Sequence, residues 1–234
     1  MQKPFVFFDL GQTLVDEWDF IDYFDNTFLE ILNGFGARID HRNYCAVRDS
    51  VIRDRKFGYG SVKELIIEMC RLLSPPGYDN VILKRLEPQL KKGRKEYFRF
   101  FDDAIPTLET LSEKCEMGII ANQSEDINDL IEKSRVGRFF KVKVISYAVG
   151  LKKPDPKIFE LALKHAGRSA SKCVMVGDRL DTDICPANTL GMITIRIANS
   201  LFALQVPEKK CEQPTHTVAR LSEILPVIER IIRC

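Results

Sequence analysis

The chain reads as an α/β protein, a parallel sheet covered on both faces by helices and interrupted near its start by an all-helical insertion. Three observations carry this reading. An apolar run, Phe5-Val6-Phe7-Phe8, ends abruptly in Asp9-Leu10-Gly11-Gln12-Thr13-Leu14, as a buried strand does where it delivers a polar side chain to the sheet edge. From Pro106 onward, helical and extended patterns alternate, which implies parallel strands joined by crossover helices. Between these two regions, residues 17–100 show helical periodicity and no convincing strand.

Each element has its own justification. Phe20, Tyr23, Phe24, Phe28, Ile31 and Leu32 recur at helical spacing up to the stop signals Gly34 and Gly36, so a helix follows the first strand. Residues 62–73 and 81–101 read as further helices, punctuated by Gly58-Tyr59-Gly60 and Ser74-Pro75-Pro76-Gly77. A helix over 105–114 precedes a strand at 117–122, and a helix over 126–134 precedes a strand at 142–146. Asp155-Pro156 opens another helix, with a carboxylate at the N-cap and proline in the first turn. Residues 173–177 form a strand, 183–190 a helix, 193–197 a strand and 219–232 the last helix.

Composition narrows the partners. The 234 residues are 45% hydrophobic and 29% charged, and 35 Lys and Arg against 33 Asp and Glu leave a net charge of +2. That balance argues against nucleic acid or a membrane surface as the main partner. No apolar run approaches the roughly 20 residues that span a bilayer, and no signal-peptide core follows the N-terminus, so a cytoplasmic protein is expected. The seven cysteines are dispersed, odd in number and never spaced C-x-x-C, so most read as reduced core residues. His41, His165 and His216 are not placed to complete a zinc site.

In a parallel sheet, ligands bind at the carboxyl ends of the strands. Asp9, Asn122, the 146–153 loop and Asp178 all emerge there. On the first segment alone, Asp9 reads equally well as a turn residue. Val176-Gly177-Asp178, followed by Asp181 and Asp183, adds a second strand end with carboxylates, and Asp9 and Asp178 could share a hard divalent cation. Lys153 precedes Pro154 and the Asp155-Pro156 helix start, which adds positive potential. Carboxylates, a metal and a lysine at a helix start suit a phosphoryl group.

In these motifs, namely Asp9 to Leu14, Ile119-Ile120-Ala121-Asn122, Gly150 to Pro156, and Gly177-Asp178 with Asp183, the chain resembles the haloacid dehalogenase-like hydrolase superfamily. The resemblance covers almost the whole length and implies a Rossmann-like core, residues 1–16 and 101–234, with a helical cap domain at 17–100. It implies a phosphatase of small phosphorylated metabolites, with Asp9 as nucleophile and magnesium held by Asp9, the carbonyl of Gly11 and Asp178. Lys153 would stabilise phosphoryl charge, and Asp183 would orient Lys153 or a metal-bound water. Gly11, Asn122 and Lys153 would contact the substrate, and the cap would set its choice.

Two departures from the family pattern matter. The second Asp of the usual phosphatase signature, an acid and base for proton transfer, is Gly11 here, a loss that typically costs roughly 10²–10⁴ in rate. Asp16 is a substitute only if the chain bends it inward. The usual Ser or Thr of the second motif is Ala121, leaving the phosphate contact to Asn122 or to Ser124, itself a candidate N-cap. A slow phosphatase is therefore the leading expectation. A binding or regulatory protein without useful turnover is the second, and a 2-haloacid dehalogenase the third, disfavoured by Asp178. Trp18, Arg53, Arg55, Lys56 and Tyr59 form a basic and aromatic group in the insertion, better read as a solvated helix face than as a substrate contact.

Overall fold

The structure, a computed structural model, describes residues 3–58 and 62–233. Tyr59 and Gly60 of the expected punctuation lie outside the described residues. The chain divides into two compact units, residues 16–99 and the remainder.

The larger unit is built on a six-stranded parallel sheet. Its strands, numbered along the whole chain, are β1 (Phe5–Phe8), β4 (Glu116–Ala121), β5 (Val142–Ile145), β6 (Cys173–Gly177), β7 (Ile193–Ile197) and β8 (His216–Val218). Their order is β5-β4-β1-β6-β7-β8. From β1 the chain first builds outward through β4 and β5, then returns to the other side of β1 with β6. The order reverses between β1 and β6, the kind of switch point at which doubly wound sheets bind ligands. Register levels Phe8 with Ile119 on one side and with Val176 on the other. The Asp9 N–H then donates to the Val176 carbonyl at 2.9 Å, so the residues after β1 and β6 leave the sheet side by side.

The apolar runs become strands because both faces are covered. Phe5 and Phe7 pack in one buried cluster with Ile158, Phe159 and Ala162 of α8 (Pro156–Ala166). Each such aromatic contributes about 1.5–3 kcal/mol by leaving water. Elsewhere α5 (Ala104–Lys114) packs on β4, and α10 (Ile224–Arg233) packs on α5. Shorter helices α6 (Glu125–Lys133), α7 (Ser146–Val149) and α9 (Cys185–Thr189) complete the unit.

The smaller unit holds α1 (Trp18–Gly34), α2 (His41–Arg53), α3 (Val62–Leu73) and α4 (Asp79–Glu96). Helix α2 was not expected, because only Tyr44, Val51 and Ile52 of its residues are buried among many charges. Its start is nonetheless marked: the Asp40 carboxylate caps the Asn43 N–H at 2.7 Å. Inside, Tyr44 donates to Asp25 at 2.8 Å and Arg48 pairs with the same carboxylate. The expected helix over 81–101 stops at Glu96; Arg99–Phe100 (β3) pairs instead with Val15–Asp16 (β2) where the chain passes between units.

Two further corrections fall at the C-terminal end. Leu180–Ile184 form a wide helical turn, and α9 begins only at Cys185, with Pro186, which has no N–H to give, in its first turn. The expected helix over 219–232 begins at Ile224, after a short strand, β8, that pairs with β7. Among the described cysteines, Cys45, Cys70, Cys115 and Cys173 are free, in line with the reduced state expected for most, and Cys185 and Cys211 form a disulfide. Among the described residues, no helix is long and apolar enough to cross a membrane.

Candidate active site

Parallel strands bring four side chains from distant parts of the sequence to one edge of the larger unit. Asp9 follows β1, Asp178 follows β6, Asp183 lies in the wide turn after it, and Lys153 comes from the loop between α7 and α8. The Lys153 ammonium lies 2.6 Å from Asp9 Oδ1 and 2.5 Å from Asp183 Oδ1. One carboxylate oxygen each from Asp9, Asp178 and Asp183 lie within 4.8 Å of one another. Lys153, Asp178 and Asp183 are buried, whereas Asp9 keeps 14% of its side chain exposed. Asp9 is therefore the member of the group that a ligand can reach.

Three carboxylates close together, two of them paired with one ammonium, crowd negative charge into a desolvated place. Burial pushes the Asp183 carboxyl up to about 6, against the pull of Lys153, with the Asp9 charge adding to the rise. Burial, then the charges of Asp183 and Asp9, raise Asp178 well above the ordinary carboxylate range. For Lys153 burial works against the charged form, but Asp183 and Asp9 more than offset it and the ammonium is held above its usual value.

The supporting contacts explain why these side chains stand where they do. Asp183 Oδ2 accepts the Arg179 N–H at 3.0 Å, bending the carboxylate back over the end of β6. Gly177 makes that possible: a Cβ there would sit 2.6 Å from the Asp183 carboxylate carbon. The Ser200 hydroxyl hydrogen-bonds Asp178, and buried Arg196 donates to the Asp178 carbonyl at 3.2 Å and to the Phe202 carbonyl at 2.7 Å. Asp181, which follows Asp178 in sequence, is engaged by Arg179 at 2.7 Å, and the Arg179 guanidinium lies 4.4 Å from the centre of the Phe202 ring. Sequence reasoning missed Arg179 and Arg196. A charged residue amid the β-branched run of β7 was the available signal for Arg196.

The remaining expected residues fall as follows. Asn122 directly follows β4, and its amide meets Lys153 twice, accepting from the backbone N–H at 2.8 Å and donating to the backbone carbonyl at 2.9 Å. Ala121 is the buried last residue of β4. Ser124 occupies the N-cap position of α6, but its hydroxyl donates to Asp126 at 2.5 Å and makes no cap bond. Gly11 is partly exposed in the turn after β1, where Gln12 takes a left-handed φ of 54° and the N–H groups of Leu14 and Val15 converge on the Leu10 carbonyl. Asp16 is engaged: its carboxylate accepts the Trp18 N–H at 3.0 Å and pairs with Arg99 at 2.8 Å. Of the basic group, Trp18 opens α1, Arg53 closes α2, and Lys56 pairs with Asp54 at 3.3 Å; Tyr59 is not described.

A doubly wound sheet whose first strand ends in a reachable aspartate, backed by a buried lysine and two further carboxylates, defines an aspartate-centred α/β enzyme. The chain belongs to the haloacid dehalogenase-like hydrolase family, whose model matches residues 6–197. It is 34% identical to a glyceraldehyde 3-phosphate phosphatase of Methanopyrus kandleri over 143 residues, 58% of this chain and 60% of that protein. A protein of the same name from Methanocaldococcus jannaschii is 26% identical over 97% of both chains. Among solved structures, the HAD-hydrolase YfnB from Bacillus subtilis, bound to magnesium, superposes with a TM-score of 0.71 over 97% of this chain and 99% of that one, at 17% identity. That last likeness shows the shared fold.

Proposed function

We propose that the protein is a magnesium-dependent phosphatase of small phosphorylated metabolites, working through an aspartyl-phosphate on Asp9. The observation that carries this is the Asp9, Asp178 and Asp183 trio at the switch point, with Lys153 paired to Asp9 and Asp183. The phosphatases among its relatives support the same substrate class.

The donor set fits magnesium. Hard divalent cations take carboxylate and carbonyl oxygens, and these buried carboxylates carry more charge than one ammonium offsets. Asp9, Asp178 and the Gly11 carbonyl would hold the ion, which when bound would neutralise charge on the phosphoryl oxygens.

The chain's own residues do the rest. An Asp9 oxygen attacks phosphorus, the bond to the leaving oxygen breaks, and water later releases phosphate from Asp9. Lys153 holds positive charge beside the attacking carboxylate, a preorganised contribution that costs no reorganisation during the step. Asp183 keeps that ammonium in place. Backbone N–H groups after Asp9 and the side chain of Lys153 are the substrate contacts carried over from the family pattern, whereas the Asn122 amide is engaged by the Lys153 backbone. Residues 17–100, as cap domain, set substrate choice.

A second reading, a phosphate-binding or regulatory protein without useful turnover, draws on Gly11 and on the engagement of Asp16 with Arg99 and Trp18. One assay separates the two. With an activated aryl phosphate, hydrolysis is expected with magnesium and lost with chelator or in Asp9→Asn; equal rates in all three refute the phosphatase.

A further inference from the structure

The family pattern puts a phosphate-binding hydroxyl at the end of the second core strand, and Ala121 leaves the next residue, Asn122, as its natural heir. The geometry gives Asn122 other work. Its Oδ1 accepts from the Lys153 N–H at 2.8 Å and its Nδ2 donates to the Lys153 carbonyl at 2.9 Å, both within normal hydrogen-bond range. One planar side chain thus engages both polar groups of one backbone residue, as a neighbouring strand would. A second stitch lies beside it: the Ser146 hydroxyl accepts from the Gln123 N–H at 3.1 Å and lies 3.2 Å from the Gln123 carbonyl. The end of β4 is thereby sewn to the segment that carries the lysine.

A lysine side chain has four flexible carbons and carries about 2 kcal/mol of rotamer entropy, so where its ammonium rests depends on where its backbone is fixed. Here the ammonium must reach two carboxylates at once, 2.6 Å and 2.5 Å away. We infer that Asn122 is a positioning residue, a clamp on the Lys153 backbone that places the ammonium between Asp9 and Asp183, and not a ligand of the phosphoryl group. The kinetic arm of its test rests on the phosphatase reading; the structural arm does not.

The kinetic arm is a double-mutant cycle with Asn122→Ala and Lys153→Ala on the full chain, using an activated aryl phosphate and magnesium. In the native background Asn122→Ala is expected to lower kcat/KM by roughly 10- to 100-fold, as loss of an outer-shell partner does. In the Lys153→Ala background the same substitution is expected to change it less than about threefold, because the clamp acts only through that ammonium. A direct phosphate contact, or a merely destabilised fold, lowers activity equally in both backgrounds and overturns the inference. Should Asn122→Ala fail to fold, Asn122→Asp carries the same cycle, keeping the acceptor for the Lys153 N–H and losing the donor to its carbonyl. The structural arm is a crystal structure of the variant. It is expected to show the ammonium withdrawn from Asp9 or Asp183, and an ammonium still within 3 Å of both, about hydrogen-bond range, overturns the inference even if the native protein hydrolyses nothing.

Discussion

The Lys153 ammonium and the Asp183 carboxylate lie 2.5 Å apart, with side-chain exposures of 3% and 0%. A pair this buried is costly to break from one side, because the partner is left without a counter-ion and must either stay charged in a desolvated place or take up a proton. Lys153→Met is therefore expected to destabilise the metal-free protein by about 3–5 kcal/mol in urea unfolding. Added magnesium should recover part of that loss, and a midpoint unchanged by the substitution would show that the pair is not closed in solution.

Proton and metal should compete for the same carboxylates. The folded-state value of Asp183, about 6, lies above its ordinary 3.8, so this group's contribution to stability is complete below the unfolded value and is lost as pH rises through about 6. Asp178, raised for the same first cause, adds in the same direction. Metal binding needs the ionised forms and is the more stabilising where they prevail. The rise in Tm on adding magnesium is thus expected to be larger at about pH 7.5 than at about pH 5.5. A pH-independent rise would place the metal elsewhere.

Gly11→Asp tests the missing proton-transfer group. If that absence alone limits turnover, restoring a carboxyl should raise kcat at least about tenfold, a modest part of what positioned acid catalysis supplies. The gain should be largest for alkyl phosphates, whose leaving groups need a proton, and smallest for activated aryl phosphates. No gain for either, with magnesium affinity intact, favours the regulatory reading.

Within the helical unit, Asp25→Ala strips two partners at once. Tyr44 loses its acceptor, and Arg48, 14% exposed, loses the carboxylate it pairs with. The expected cost is about 3–5 kcal/mol, against about 1 kcal/mol for Tyr44→Phe, which removes one neutral donor. Unfolding midpoints of the two variants measure the difference, and equal losses would show that Arg48 draws its support from Asp49 instead.

What could be read in advance divides along physical lines. Residues 173–177 and 193–197 were legible as strands because each is a short apolar or β-branched run between turn signals, and the ends of β1 and β6 placed Asp9 and Asp178 at one edge. β8 was not legible: three residues, His216–Val218, carry no periodicity, and only pairing with β7 makes them a strand. Helix α2 hid behind its charges. The clamp on Lys153 was invisible because it joins a side chain to a backbone 31 residues away, and the same holds for the Arg196 bond to the Asp178 carbonyl. Cys185 and Cys211, 26 residues apart, meet through the fold of the segment after β7, which no spacing rule announces.

The bare α-carbon at position 177 offers something that acidic or basic substitutions at the centre cannot. A single methyl group there would press on Asp183 while every charge, donor and acceptor of the group stayed in the chain. Gly177→Ala would thus be a silenced control that keeps every ionisable group in the chain, suited to separating the protein's catalysis from any role it plays merely by being present.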